Sequence, residues 1–207
     1  MAGIDPLAAT GREWAATPLP TKQLAFMEQQ STRADISQWE FSVEYHYSNF
    51  RGNAAEMLRR GYDIHLHFAN FGIRKLMFRL PELPCDKKTF SAFEDEYGVG
   101  WQKDRRGRSG ILSIEPEADA GTFDYLIDVH LFLPRLVPLR EMLMRGDLRP
   151  LYLAWLACAC DDESIEPPVP AGLGQLDSSL EALAEFYELT SDMLEAAAEQ
   201  ALPALKK

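Results

Sequence analysis

The sequence predicts an α+β fold, with a mostly antiparallel sheet over about residues 39–116 and a layer of helices over about 122–201. In the first half of the chain, apolar and polar residues alternate in short segments, as they do on half-buried strands. Turn residues separate these segments at spacings typical of hairpins. Beyond Pro116 the apolar residues recur at helical spacing. These three observations predict a sheet covered on one side by C-terminal helices.

The N-terminal region divides into an arm and the start of the sheet. Residues 1–21 mix Gly, Pro, Ala and Thr without periodicity, which predicts a flexible arm. Residues 22–207 are then expected to form a single domain. Alternation over 39–47 predicts the first strand. A short helix follows, because Asn53 can cap it and Gly61 can end it.

Two hairpins are expected next. The first joins residues 62–70 to 75–80, and the second joins 99–103 to 111–115 through a polar, glycine-containing tip. Between the hairpins, Asp86 can cap a short helix. These segments complete the predicted sheet.

The C-terminal half is predicted as separate helices. Pro138 is expected in the first turn of one of them, where proline is tolerated. The proline-rich strap, residues 166–174, is incompatible with a helix or a central strand. By their apolar spacing, helices are expected over 123–132, 139–145, 148–160, 178–188 and 192–201.

Composition excludes several classes of protein. With 46% apolar residues, the chain is globular rather than disordered or collagen-like. Its formal net charge is −11, and residues 111–207 hold 18 acidic against 6 basic side chains, which makes nucleic acid and anionic membranes unfavourable partners for that half. The longest apolar run, 151–160, is about half of the ~20 residues that a membrane span needs.

We expect a cytoplasmic protein. The first twenty residues lack the basic start and apolar stretch of a secretory signal. The three cysteines, Cys85, Cys158 and Cys160, are too few for a disulfide framework or a four-cysteine zinc site.

His65 and His67 form the sharpest candidate site. Histidines two apart on a strand project to one face, an arrangement that can bind zinc, and His46 on the preceding strand could supply a third ligand. Such a site would suit a metal-dependent hydrolase. The alternative, which we favour, is that both histidines pack on the more polar face of the sheet.

Basic residues form a second candidate site. Arg105, Arg106 and Arg108 lie at the predicted hairpin tip, and further basic residues lie earlier in the chain: Arg51, Arg59, Arg60, Arg74, Lys75 and Arg79. Arginines at such a turn can bind phosphates or another polyanion, which would suit a weak nucleic-acid-binding protein. The alternative, which we favour, is ion pairing with acidic residues of the protein itself, such as Asp63 and Asp104.

Arg140 and Arg149 stand among apolar neighbours on predicted helices. A charge in that setting needs a partner, and we expect internal ion pairs with carboxylates such as Asp147 or Asp63. An acidic group of a ligand is the alternative partner.

Five motifs give the chain a resemblance to known sequences. They are Tyr47-Ser48-Asn49-Phe50-Arg51-Gly52, Leu66-His67-Phe68-Ala69-Asn70-Phe71-Gly72, Leu136-Val137-Pro138-Leu139-Arg140, Gly146-Asp147-Leu148-Arg149-Pro150-Leu151-Tyr152-Leu153 and Glu166-Pro167-Pro168-Val169-Pro170-Ala171-Gly172-Leu173-Gly174. With them, the chain resembles a family of uncharacterised bacterial cytosolic proteins over roughly 33–198. The resemblance implies no activity and no catalytic residues. Similar proteins read Phe-Leu-Tyr at the positions of His65-Leu66-His67, which favours packing over metal binding.

No motif specifies a reaction. The sequence therefore predicts a non-enzymatic binding or adaptor module, with a protein partner at the acidic helices or the proline-rich strap. A metal-dependent hydrolase and a weak nucleic-acid binder are the alternatives, and no oligomeric state is predicted.

Overall fold

A computed structural model of the chain describes residues 8–46, 50–69, 72–94, 98–116, 129–158 and 166–201. The fold is α+β, as predicted. Its strands are β1 (Ala8–Trp14), β2 (Asp35–Ile36), β3 (Glu40–His46), β4 (Ile64–Ala69), β5 (Ile73–Leu80), β6 (Val99–Lys103) and β7 (Gly110–Ile114). Its helices are α1 (Thr21–Glu28), α2 (Ala54–Arg60), α3 (Lys87–Phe90), α4 (Val129–Met144), α5 (Arg149–Cys158), α6 (Ser178–Phe186) and α7 (Ser191–Gln200).

The strands form one antiparallel sheet in the order β2-β3-β1-β4-β5-β7-β6. Both predicted hairpins are present, as β4–β5 and β6–β7. The Asn53 side chain accepts a hydrogen bond from the Glu56 amide and caps α2, and Asp86 caps α3. Local turn and cap residues therefore fix this half of the fold.

Strand β1 lies in the middle of the sheet, between β3 and β4. The prediction of a flexible arm over 1–21 is wrong for the described part of that segment. The alternation of apolar and polar residues is weak in β1 because its buried positions include the small residues Ala9 and Gly11. Neighbouring side chains lie close to Gly11: a Cβ at that position would be 3.4 Å from Val43 and 3.9 Å from His67. Tertiary packing selects this strand where local pattern does not.

Helices cover both faces of the sheet. On one face, side chains such as Leu66, Phe78 and Leu112 pack against the C-terminal helices. On the other face, Phe41 and Met77 belong to a smaller core that α1 and α2 complete. The sequence predicted only the first of these layers.

Helix α4 is continuous through Pro134 and Pro138, whereas the sequence predicted two helices here, over 123–132 and 139–145. Leu133, Leu136 and Leu143 are buried along one stripe. Their burial outweighs the hydrogen bonds that the prolines remove. The start of the predicted helix, over 123–128, lies outside the described residues.

The proline-rich strap, residues 166–174, is docked on the rest of the protein. The hydroxyl of Tyr152 donates a hydrogen bond to the Glu166 carboxylate, and Leu173 is buried against the core. Cys160 and motif residues 47–49, 70 and 71 lie outside the described residues. No helix in the described part of the chain has the length and apolar character needed to span a membrane.

Candidate functional site

The two histidines of β4 lie in a closed polar cluster with Glu13 of β1. The register of β1 and β4 places Glu13 opposite His65, and Nδ1 of His65 lies 2.8 Å from Oε1 of Glu13. Nδ1 of His67 lies 2.7 Å from the carbonyl oxygen of Thr10, to which it can donate a hydrogen bond. Glu13, His65 and His67 are 0%, 1% and 5% exposed. We name these three side chains the histidine cluster.

Burial governs the protonation of the cluster. It raises the pKa of Glu13 well above its ordinary value. Burial also lowers the pKa of His65 to about 3, and the charge of Lys75 adds a smaller effect in the same direction. It lowers the pKa of His67 to about 4, and the neighbouring His65 adds to that shift. All three shifts favour the uncharged forms of these side chains, and the Glu13 carboxyl and Nδ1 of His65 share one hydrogen bond.

The histidine cluster is covered rather than open. The Phe50 ring centroid lies 6.0 Å from that of His65 and 6.3 Å from that of His67. None of the three cavities described below is lined by a residue of the cluster. Among the described residues, no group of three His, Cys, Asp or Glu side chains is placed to hold a metal ion.

His46, the third predicted ligand, is paired with Ala8 in the β3–β1 ladder, and its side chain lies outside the described residues. Glu13 is the residue that sequence reasoning missed. It lies in the segment predicted as an arm, and a charged residue there gave no signal of a buried position.

Arg140 and Arg149 each have an internal carboxylate partner. Nη2 of Arg140 lies 2.8 Å from Oδ1 of Asp63, and its Nε donates to the carbonyl oxygen of Arg79. Nη2 of Arg149 lies 2.7 Å from Oδ2 of Asp147, and hydrogen bonding to that carboxylate raises the pKa of Arg149. Arg140 also lines a cavity of about 510 Å³ between β1, α4 and α6. The Arg140–Asp63 pair joins α4 to the residue that precedes β4. The Arg149–Asp147 pair joins the start of α5 to the turn between α4 and α5.

An open basic site lies at the β6–β7 hairpin. Asp104 organises it: Nε of Arg59 lies 3.1 Å from Oδ1 of Asp104, and Nη2 of Arg79 lies 2.7 Å from Oδ2. Although partial burial acts in the opposite direction, hydrogen bonds from Ser109 and Arg59 and the charge of Arg79 lower the pKa of Asp104. One carboxylate thus holds two guanidinium groups beside the hairpin.

These groups line a cleft of about 880 Å³, which we name the basic cleft. It lies on the α2 side of the sheet and is lined by Glu56, Arg59, Arg79, Gln102, Lys103, Asp104, Arg105 and Arg106. Five of these side chains are basic and two are acidic. Arg105 and Arg106 are exposed and form no ion pair with any described residue. The cleft therefore presents guanidinium groups that a ligand can reach.

Arg108 is separated from the other two tip arginines. It pairs with Glu82 and lines a different cavity, of about 690 Å³, on the opposite side of β6. The structure therefore brings Arg105 and Arg106 together with Arg59 and Arg79, and it does not place Arg108 with them.

Comparison with known proteins yields no relative. No protein-family profile matches the chain, and no curated protein or solved structure matches it either. We therefore infer function from the geometry of the histidine cluster and the basic cleft.

Proposed function

We propose that the protein is a binding module that takes an acidic segment of a partner protein into the basic cleft. The observation that carries the proposal is the pair of exposed guanidinium groups, Arg105 and Arg106, beside two others already positioned by Asp104. Arginine forms paired hydrogen bonds with carboxylates, so such a cleft suits Asp and Glu side chains.

A protein segment fits the cleft better than a nucleic acid does. A nucleic acid is an extended polyanion, and the formal net charge of −11 opposes it beyond the cleft. The large apolar side chains that the described part of the chain exposes are Trp39, Leu131 and Met144, none of which lines the cleft, so no stacking platform for bases is provided there. A short acidic segment needs only the local charges.

The proposal places the module in the cytoplasm, where the described cysteines, Cys85 and Cys158, stay reduced. Burial, with a smaller effect of Asp86, raises the pKa of the Cys85 thiol to about 11. A protonated thiol is a poor nucleophile, which supports binding rather than catalysis at that side chain.

Fluorescence anisotropy with a labelled Glu/Asp-rich peptide at low salt tests the proposal. We expect saturable binding that Arg105→Ala/Arg106→Ala weakens roughly tenfold. The matched control is Arg135→Ala/Arg145→Ala, which removes the same charge from α4 and the residue that follows it, where both arginines pair with glutamates. Equal loss in both double variants, or no binding by the wild type, would refute the proposal. Tighter binding of single-stranded DNA than of the peptide would replace it with nucleic-acid binding.

A further inference from the structure

Among the described residues, strand β6 has a neighbouring strand on one side only, which leaves an open edge of the sheet. It is the last strand in the order, and β7 is its neighbour. Hydrogen bonds from the Glu115 amide to the Gly98 carbonyl and from the Asp104 amide to the Ser109 carbonyl fix the alternation of the β6–β7 ladder. In an antiparallel pair, the backbone groups of every second residue point away from the partner.

By this alternation, Val99, Trp101 and Lys103 direct their amide and carbonyl groups to the open edge. No described residue forms a backbone hydrogen bond with these groups on that side. Such an edge can accept a further strand from another chain.

The two sides of this edge differ in chemistry. On the side of the C-terminal helices, the cavity of about 690 Å³ has an apolar wall of Leu83, Cys85, Phe90 and Trp101. Its other lining side chains carry both signs of charge: Glu82, Asp86, Lys87, Glu94, Lys103 and Arg108. The Trp101 ring lies directly over Gly110, where a Cβ would be 2.5 Å from the indole. We name this the apolar cavity. The basic cleft lies on the other side of the sheet, and Lys103 lines both.

We infer that the partner segment adds to β6 as an eighth strand, with apolar and acidic side chains in alternation. The inference rests on the proposed function and specifies the partner's conformation and pattern. Side chains of a strand point alternately to the two faces of a sheet. An added strand therefore directs one set toward the apolar cavity and the other set toward the basic cleft.

Charge complementarity distinguishes this occupant from a second copy of the chain. The residues of β6 are Val99, Gly100, Trp101, Gln102 and Lys103. None is acidic, so β6 of a second copy would bring no carboxylate to the basic cleft. A partner segment with a carboxylate at every second position supplies one.

Four peptides test the pattern and the pairing. The first alternates Leu and Glu, and the second has the same composition in two blocks. The third and fourth are the alternating peptide with N-methyl groups on one or the other set of alternate amides. In β-strand pairing, N-methylation blocks the peptide only when it falls on the amides that face β6. We expect the alternating peptide to bind at least roughly tenfold more tightly than the block peptide, and only one of the two N-methylation registers to abolish binding.

Variants at Lys103 test the same edge from the protein side. Proline at this position removes an amide that faces the edge and leaves the β6–β7 hydrogen bonds intact. We expect Lys103→Pro to lose binding of the alternating peptide, whereas Lys103→Ala, which removes the charged side chain and keeps the amide, weakens it severalfold. Circular dichroism and the thermal midpoint establish that both variants are folded.

The outcomes separate the two proposals. If the alternating and block peptides bind equally and Arg105→Ala/Arg106→Ala weakens both, strand addition is refuted and the basic cleft remains the binding site. If no acidic peptide binds, both proposals fail. A wild-type dimer that Lys103→Pro dissociates, without peptide binding, would show that a second copy occupies the edge and would also refute strand addition.

Discussion

The histidine cluster and the basic cleft are both groups of polar side chains on the same face of one sheet, and they differ in access to solvent. At the centre of the sheet, Glu13 and His65 bond to each other and are closed off by Phe50. At the edge, Arg105 and Arg106 are exposed beside guanidinium groups that Asp104 holds. Judged by residue type alone, the histidines would be the stronger candidates for functional residues than the arginines.

The difference shows how position in the sheet decides the use of a polar group. A central strand has neighbours on both sides, so its polar side chains must find partners inside the protein. An edge strand and its hairpin tip have solvent on one side, so their charges remain available. We therefore interpret the histidine cluster as structural and the edge as the binding surface.

The largest expected effect tests the histidine cluster. His65→Leu leaves the buried carboxyl of Glu13 without its partner, and we expect a loss of about 2–3 kcal/mol in the free energy of unfolding. Adding Glu13→Leu should recover part of that loss, with a coupling of about 1–3 kcal/mol in a double-mutant cycle measured by urea unfolding. Additive losses would contradict the pairing.

The pH dependence of stability should follow the cluster's pKa shifts. His65 and His67 have pKa values of about 3 and about 4 in the folded protein, below the ordinary 6.5, so their contribution is present above that value and is lost as the pH falls toward 4 and 3. The raised pKa of Glu13 has the opposite sign: its contribution is present below 4.5 and is lost as the pH rises through the folded value.

Chemical denaturation at a series of pH values measures both losses of stability, the one toward low pH and the one toward high pH. Glu13→Gln should flatten the loss toward high pH, and His67→Gln should flatten the loss toward low pH. Glu199→Gln, at an exposed position of α7, is the control and should leave both losses unchanged. Unaltered profiles in the two cluster variants would mean that these groups do not titrate as the burial argument requires.

A smaller effect is expected where α4 meets the sheet. Arg140→Ala removes the contact with Asp63 and the hydrogen bond to the Arg79 carbonyl, and we expect about 1–2 kcal/mol of lost stability in thermal or urea unfolding. Arg145→Ala, at the exposed position directly after α4, should change stability by less than about 0.5 kcal/mol. Equal effects at both positions would contradict an internal role for Arg140.

The smallest expected effect on stability is at the edge. Arg105→Ala/Arg106→Ala should change the free energy of unfolding by less than about 0.5 kcal/mol, because both side chains are exposed and form no ion pair with described residues. Urea unfolding checks this. A large loss would mean that these arginines support the fold, and it would remove the contrast with the histidine cluster.

The sequence predicted the parts of the fold that local pattern encodes. Alternation and turn residues identified β3, β4, β5, β6 and β7, and these predictions are confirmed. Strand β1 was not predicted because Ala9 and Gly11 occupy its buried positions and give no apolar alternation. Their small size follows from contacts with distant residues such as Val43. The continuity of α4 through Pro138 likewise depends on packing that no local signal shows.

The same limit applies to the candidate sites. The sequence places Arg105, Arg106 and Arg108 at a hairpin tip, but the register and twist of β6 and β7 decide which of them share a cleft. The partner of His65 is Glu13, which lies 52 positions away in the sequence. Pairings of this kind come from strand order, which a single sequence does not specify.

Backbone amide hydrogen exchange, measured with and without the alternating Leu/Glu peptide, tests strand addition at β6 most directly. We expect the edge-facing amides of Trp101 and Lys103 to become protected when the peptide binds. The amides of Gly100 and Gln102, which face β7, should change little. Peptide binding without protection at Trp101 and Lys103 would contradict the added strand.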